Sequence, residues 1–245
     1  MRIWFIPIYF FYFIGSYIKA KRIVKKRLEH KKYTEEYCEK WLLRMLKALR
    51  FLHKVKINII DKDKLPERTS VIVFNHQSWF DIFVLPDILK DRPFSAIVKI
   101  ELAKGPLSRF VKVFDPIFVN RSDLKSKLNT VSESKTKILD QNLDLVIFPE
   151  GTRNKNPQKL LPFFDGLSLI SKATMAPIVP IVIYNSAQVK KKFRFHLFKA
   201  PKIDVKVLDF VHPNKFLSKD LKIVTKNIQK LIQDELDEYY DSQKT

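Results

Sequence analysis

Apolar runs of strand length alternate with longer helical segments along most of the chain. Seven runs rich in β-branched residues are the predicted strands, at residues 55–60, 71–74, 94–98, 117–119, 145–148, 178–183 and 203–208. The segments between them, such as residues 81–89 and 124–139, are long enough for crossover helices. This alternation predicts an α/β fold with a mostly parallel or mixed central sheet flanked by helices.

The N-terminal stretch, residues 3–18, is almost wholly apolar and aromatic. Basic residues follow it at Lys19, Lys21, Arg22, Lys25, Lys26 and Arg27. A signal peptide would carry its charge before the apolar core, so the order favours an uncleaved anchor that dips into or spans the bilayer. Its sixteen residues are fewer than the ~20 that a straight span needs. The trailing positive charge puts the main domain on the cytoplasmic side. The alternative is a helix of a soluble core.

Residues 34–53 have the clearest helical periodicity in the sequence. Thr34 is the expected N-cap, and Glu35 and Glu36 lie in the first turn, where the helix dipole favours acidic side chains. One face is apolar, with basic residues on both sides of it. Such a helix lies on an anionic membrane surface or packs on the domain with a solvated basic face, and both interpretations stay open. With the preceding stretch it makes a predicted membrane-associated two-helix segment, residues 1–54, ahead of an α/β domain, residues 55–245.

A final amphipathic helix is predicted from the apolar positions between Leu217 and Ile232. Ser218 is its expected N-cap, and the acidic tail that begins at Asp234 is expected to be solvated.

Composition adds a charge constraint. The 245 residues include 46 Lys and Arg against 26 Asp and Glu, a net charge of +20, which indicates an anionic partner. Nucleic acid and anionic lipid are the two candidates. The single cysteine, Cys38, excludes an internal disulfide, and the five histidines have no metal-ligand spacing, so no metal is expected.

The first candidate for chemistry is the turn at residues 74–81. His76 follows the strand at residues 71–74, and Asp81 comes five positions later. On one helix the two would lie about 140° apart, but a turn capped by Ser78 can fold the ring back over the carboxylate. A carboxylate on one imidazole nitrogen leaves the other free to take a proton. The alternative is a surface histidine and a solvated aspartate.

A second turn, residues 148–153, also follows a β-branched strand. Pro149 stiffens the exit, and Gly151 permits positive φ or close approach of a ligand. Glu150 and Arg153 would then project from the same sheet edge as His76, unless they merely pair with each other.

Two cations are expected at that edge as well. Arg121 comes just after the strand at residues 117–119, and Lys99 comes just after the strand at residues 94–98. Together they could clamp a phosphate, Arg121 through its planar fork and Lys99 as a point charge. In so basic a chain, either could instead be an ordinary solvated side chain.

In combination these pieces resemble the glycerolipid acyltransferases of the 1-acylglycerol-3-phosphate (lysophosphatidic acid) type. The chain has N-H-x4-D at residues 75–81, Ile-Phe-x-x-Arg at 117–121, F-P-E-G-T-R at 148–153 and Pro-Ile-Val-Pro at 177–180. The order and spacing are similar to the family's, and the likeness covers roughly residues 55–190.

The resemblance implies acyl transfer from a thioester, on coenzyme A or acyl carrier protein, to the free hydroxyl of a lysophospholipid, forming phosphatidic acid. His76 would be the general base, and Asp81 would orient it. The implied substrate-binding residues are Lys99, Arg121, Glu150, Gly151, Thr152 and Arg153. Residues 177–180 would be a structural wall or a donor contact. No cofactor and no metal are implied. The expected partners are the two substrates, anionic membrane lipids and acyl carrier protein as one possible donor, without nucleic acid.

The chain departs from the family pattern at several positions. It has Asp115, Pro116 and Asn120 around the Ile-Phe block, and Phe164 where a basic residue is common. These changes leave the activity class in place but open the choice of acceptor to another lysophospholipid.

A basic nucleic-acid-binding protein is the alternative of a different class, although no zinc-finger spacing or aromatic RNA-binding strand accompanies the charge. A hydrolase is poorly supported, because the serine in Gly166-Leu167-Ser168 lacks the second glycine of a nucleophile elbow.

Overall fold

The computed structural model describes residues 5–29, 33–105, 107–189 and 201–243. Within these ranges the seven predicted strands form one sheet flanked by helices, which confirms the predicted α/β class. The strands are β1 (Lys56–Ile60), β2 (Val71–Phe74), β3 (Phe94–Lys99), β4 (Ile117–Val119), β5 (Asp144–Ile147), β6 (Ile178–Tyr184) and β7 (Lys202–Val207). The helices are α1 (Phe5–Leu28), α2 (Glu35–Leu52), α3 (Leu85–Ile88), α4 (Ser108–Val111), α5 (Leu124–Lys135), α6 (Gly166–Thr174) and α7 (Leu221–Asp241).

The sheet is mixed, with strand order β1-β7-β6-β2-β5-β3-β4. The five strands from β6 to β4 in that order are parallel to their neighbours, whereas β7 runs antiparallel to β6 and pairs with β1 in parallel. The carboxyl ends of β2, β3, β4 and β5 therefore lie at one edge of the sheet. In open α/β sheets this is the edge where ligands bind.

The core has two layers, one on each face of the sheet. On β2, Ile72 and Phe74 pack in the layer beneath α1, α2 and α3, while Val71 and Val73 pack in the layer beneath α6 and α7. All four side chains are fully buried. The β-branched run is apolar at every position because successive side chains point to opposite faces and both faces are covered.

The N-terminal helices pack against the first of these layers. Ala20 and Ile23 of α1, and Cys38, Leu42 and Met45 of α2, are buried in it. The helix predicted at residues 34–53 begins at the expected N-cap, since Thr34 Oγ1 accepts a hydrogen bond from Tyr37 N–H at 3.2 Å. The buried face of α2 thus matches the packed alternative, and the division of the chain at residue 54 stays a prediction.

Helix α1 is longer than the apolar stretch. It extends through the basic residues to Leu28, whereas residues 1–4 lie outside the described residues. Its outer side exposes an apolar stripe formed by Phe10, Phe11, Ile14 and Ile18. Among the helices described, none is both long enough and apolar enough to cross a bilayer.

Three local expectations differ from the structure. The segment predicted as a helix at residues 81–89 is a 3-10 helix, Trp79–Val84, followed by the single turn of α3. The N-cap of α7 is Asp220 rather than Ser218, because the Asp220 carboxylate accepts the Lys222 N–H at 2.7 Å. The acidic C-terminal segment is also part of α7 and is not simply solvated, since Leu236 and Tyr240 are buried.

One buried ion pair ties β5 to the preceding loops. The Asp144 carboxylate is 3% exposed, and it accepts hydrogen bonds from Arg92 Nη2 at 2.8 Å and Ser70 N–H at 2.8 Å. We predict that Arg92→Met lowers the free energy of unfolding by about 3 to 5 kcal/mol, because a buried carboxylate loses its counter-charge. Urea denaturation measures this change.

The matched control is Lys230→Met, which removes an exposed ion pair with Asp234 on α7. Exposed helical pairs of this kind contribute only about 0.3 to 0.5 kcal/mol. Equal losses in the two variants would contradict the importance given to the buried pair.

Candidate active site

The turns that follow β2 and β5 are joined through the backbone of His76. The His76 N–H donates to Glu150 Oε1 at 2.7 Å, and its carbonyl accepts the Asn154 N–H at 2.7 Å. Both polar groups of this peptide are therefore satisfied by the second turn. The adjacent parallel pairing of β2 and β5 brings the two turns together at the sheet edge.

The His76 ring lies against the Asp81 carboxylate, with Nδ1 and Oδ2 2.6 Å apart. The ring is 21% exposed, whereas Asp81 is fully buried. The ring also contacts Phe148, with ring centroids 4.6 Å apart. Because Nδ1 faces Asp81, the second ring nitrogen, Nε2, faces away from that carboxylate.

The same carboxylate oxygen of Asp81 also shapes the turn. Oδ2 accepts the N–H groups of Gln77 at 2.7 Å and Ser78 at 2.9 Å, in addition to the ring. Ser78 is the N-cap of the 3-10 helix as expected, and with Asp81 it forms a capping box. The spacing of five residues brings His76 and Asp81 together because a turn, and not a helix, separates them.

Asn75 fixes the turn to the neighbouring strand. Its side chain is fully buried, accepts the Ile183 N–H at 2.7 Å and donates to the Ile183 carbonyl at 2.9 Å. The amide thus continues the pairing of β2 with β6 past the end of β2. The sequence motif includes Asn75 but does not disclose this role, since the partner is distant in the chain.

Glu150 is 4% exposed and does not project from the edge. Besides the His76 N–H, its carboxylate accepts the Leu161 N–H at 2.9 Å and Asn154 Nδ2 at 3.2 Å. Burial raises the pKa of the Glu150 carboxyl, and the backbone hydrogen bonds from His76 and Leu161 act against that rise. The Glu150 carboxylate therefore accepts hydrogen bonds from the turns of the protein itself, and Arg153 is not among its hydrogen-bond donors.

Arg121 lies directly over Gly151. A Cβ at Gly151 would stand 1.6 Å from the Arg121 Cζ, and the glycine has a φ of +60°. Arg121 Nη1 donates to the Glu150 carbonyl at 3.2 Å, and its guanidinium lies 5.8 Å from the centre of the Phe164 ring. Burial lowers the pKa of Arg121, and the nearby Glu101 carboxylate opposes that shift. The glycine is required because only a residue without a side chain leaves room for this guanidinium.

The remaining predicted site residues lie farther out. Arg153 stacks on the ring of Trp79 at 4.3 Å, and both are exposed, as is Thr152. Lys99, at the end of β3, is level with Val119 in β4, two residues before Arg121. The two cations thus occupy the same edge, and their predicted phosphate clamp stays a prediction.

Two residues of the site do not stand out in the sequence. Asn154 follows the second turn and holds both His76 and Glu150, while Trp79 supports Arg153. The available signal for Trp79 in the sequence is a tryptophan three residues after the histidine. In the described part of the chain, no group of three or more His, Cys, Asp and Glu side chains could hold a metal ion.

Several known proteins are similar to this chain over most of its length. The sequence pattern of the Acyltransferase family matches residues 56–184. Human 1-acyl-sn-glycerol-3-phosphate acyltransferase beta is 29% identical over 188 residues, which cover 74% of this chain and 64% of that protein. A probable 1-acyl-sn-glycerol-3-phosphate acyltransferase of Mycoplasma genitalium is 25% identical over 246 residues, covering 96% of this chain and 91% of that protein.

The fold also matches a solved structure. The crystal structure of PlsC, the 1-acyl-sn-glycerophosphate acyltransferase of Thermotoga maritima, superposes with a TM-score of 0.68 at 21% identity, over 95% of this chain and 94% of that one. The shared fold includes the sheet and the flanking helices. The match to the human relative spans less than two thirds of that protein's length.

Proposed function

The chain belongs to the Acyltransferase family, and from this membership we propose that it transfers a fatty acyl group from a thioester to the free hydroxyl of 1-acylglycerol-3-phosphate. The product is phosphatidic acid. The observation that supports this most directly is the pairing of His76 Nδ1 with the buried Asp81 carboxylate at 2.6 Å. The names of the relatives support the choice of acceptor.

His76 acts as the general base. Asp81 holds the proton on Nδ1, so Nε2 takes the proton of the acceptor hydroxyl as its oxygen attacks the thioester carbonyl. A new C–O ester bond forms, the C–S bond breaks, and the imidazolium returns its proton to the departing thiolate. The chemistry requires no covalent intermediate on the protein.

The acceptor phosphate is held by Arg121, with Lys99, Thr152 and Arg153 at the same edge. Arg121 is favourable for this role because its guanidinium is half-buried over Gly151, and within the described residues its Nε has no hydrogen-bond partner. A desolvated guanidinium binds a phosphate more strongly than an exposed one does. Gly151 contributes by leaving space for that guanidinium.

Glu150 positions the general base and does not itself bind substrate. Its buried carboxylate accepts the His76 N–H and fixes the second turn through the Leu161 N–H. This role differs from the one that the family resemblance implies, because the carboxylate is directed at the protein's own backbone. Its effect on catalysis passes through the placement of the imidazole.

Helix α1 brings the enzyme to the bilayer in which its acceptor resides. The exposed stripe of Phe10, Phe11, Ile14 and Ile18 is followed on the same helix by exposed basic residues such as Lys21 and Lys25. An apolar stripe beside positive charge suits a helix that lies in the interface of an anionic leaflet. The main domain then lies on the cytoplasmic side.

The proposed function predicts that His76→Ala slows the formation of phosphatidic acid. We expect the rate of phosphatidic acid formation from lysophosphatidic acid and palmitoyl-CoA or palmitoyl-acyl carrier protein to fall by roughly 10² to 10⁴-fold, the usual contribution of a positioned base. Product mass spectrometry on a mixed panel of lysolipids measures the rate and identifies the acceptor.

His212→Ala is the control, since His212 follows the bridge of Val211 to Ile178 at the opposite edge of the sheet. It should keep wild-type activity. Full activity in His76→Ala would disprove the proposed mechanism, and a preference for another lysolipid would correct the acceptor.

Glu150→Gln distinguishes positioning from substrate binding. The amide has one acceptor oxygen, so its NH₂ group must face one of the N–H donors that the carboxylate now satisfies. We expect kcat to fall at least tenfold, roughly the loss expected from a misplaced base, with little change in KM for the acceptor.

Arg121→Ala provides the contrast, because loss of a phosphate ligand should raise the KM for the acceptor. An increased KM with unchanged kcat in Glu150→Gln would show that Glu150 contacts the substrate after all. Circular dichroism of both variants checks that the fold is kept.

A further inference from the structure

An aromatic ring holds the Arg153 guanidinium. The central carbon of the guanidinium lies 4.3 Å from the centre of the Trp79 ring, over the ring. Both side chains are at the surface, and Trp79 is 50% exposed. Among the described residues, no carboxylate pairs with Arg153 and no acceptor takes a hydrogen bond from it. The N–H donors of the guanidinium are therefore available to a ligand.

Other arginines of the chain are held by carboxylates. Arg50 pairs with Asp87, and Arg92 pairs with Asp144. A carboxylate orients a guanidinium by occupying its N–H donors, and it also compensates the positive charge. An aromatic ring attracts the cation through its π face, so it leaves both the charge and the donors free. A stacked arginine is thus oriented and still able to bind an anion.

The two partners of this stack belong to the turns that hold the general base. Trp79 is the first residue of the 3-10 helix that Ser78 caps, directly after the His76 turn. Arg153 precedes Asn154, whose N–H donates to the His76 carbonyl at 2.7 Å. The stack therefore joins the two turns at the surface, and it gives the guanidinium a defined position relative to the base.

We propose that Trp79 is a positioning residue of the acceptor site, whose ring holds Arg153 in the orientation that binds the phosphate of 1-acylglycerol-3-phosphate. The planar fork of the guanidinium donates to two phosphate oxygens. Because the stack already orders Arg153 in the free enzyme, less side-chain freedom is lost when the phosphate binds. Trp79 itself touches no reacting atom. The inference rests on the proposed function, since it adds a residue to the acceptor site of that reaction.

The test measures the effect of Trp79→Leu on each substrate separately. We expect the KM for lysophosphatidic acid to rise roughly two- to fivefold, the contribution of an exposed cation–π contact. The kcat and the KM for palmitoyl-CoA should not change. Trp79→Phe keeps an aromatic face and should restore most of the loss. A rise confined to the KM for palmitoyl-CoA, or a fall in kcat at constant KM, would overturn the proposal.

A double-variant cycle determines whether Trp79 acts through Arg153. Arg153→Ala alone should raise the KM for lysophosphatidic acid by roughly tenfold or more, as expected for a lost hydrogen bond to a charged group. Adding Trp79→Leu to Arg153→Ala should then cause no further change. Effects that multiply in the double variant would contradict the positioning role.

Tyr37→Leu is the matched control, because it removes a second exposed ring that has a cation over it. The Lys19 ammonium lies 5.9 Å from the centre of the Tyr37 ring, at the contact between α1 and α2. This variant should leave both KM values unchanged. A rise in the KM for lysophosphatidic acid equal to that of Trp79→Leu would show that the effect is not specific to the site, and would overturn the proposal.

Binding is measured independently of turnover by calorimetric titration with 1-hexanoylglycerol-3-phosphate in the absence of any thioester. Weaker binding to Trp79→Leu than to the wild type and Tyr37→Leu supports the proposal even if acyl transfer is not found. The failure of the proposed function is thereby distinguished from the failure of this inference. Equal affinities of the wild type, Trp79→Leu and Arg153→Ala for this probe overturn it.

Discussion

The site depends on the hydrogen bonds that the buried Asp81 carboxylate accepts. A fully buried charge must be compensated by hydrogen bonds, and one oxygen of Asp81 accepts three of them. Two come from the backbone N–H groups of Gln77 and Ser78, which fix the turn, and the third comes from the His76 ring. The same contacts that make the burial tolerable therefore also set the orientation of the base.

A second buried carboxylate, Glu150, extends this arrangement from one turn to two. It holds the backbone of His76 from the strand next to β2, and its own backbone carbonyl accepts Arg121. The base and the guanidinium are thus fixed relative to each other by hydrogen bonds within the protein. Such fixed geometry is what allows a hydroxyl to be presented to an imidazole without large rearrangement.

Much of the fold follows from short-range features of the sequence. The β-branched runs locate all seven strands, and their alternation with helical segments predicts the mixed sheet and the edge at which His76, Lys99, Arg121 and Glu150 lie. What the sequence could not disclose depends on contacts between distant residues. From the sequence, a glutamate that follows a strand is expected to project toward solvent. Glu150 is instead buried, because its carboxylate accepts the N–H of His76, 74 positions away in the chain.

Local ambiguity explains the other differences. Ser218 and Asp220 are both favourable N-cap residues, so the sequence alone does not determine which of them begins α7. Likewise the apolar face of α2 suits lipid and protein equally well, and the packing of Leu42 and Met45 in the core shows where that face lies. Periodicity identifies such a face but not what covers it.

The central claim is that Asp81 fixes the tautomer of His76 and leaves Nε2 as the base. Two-bond ¹H–¹⁵N correlation spectra of ¹⁵N-histidine-labelled protein test it at a pH where the ring is neutral, with His76→Gln to assign the resonance. We expect the proton on Nδ1 and an unprotonated Nε2, with loss of this preference in Asp81→Ala. A proton on Nε2 in the wild-type protein would contradict the account.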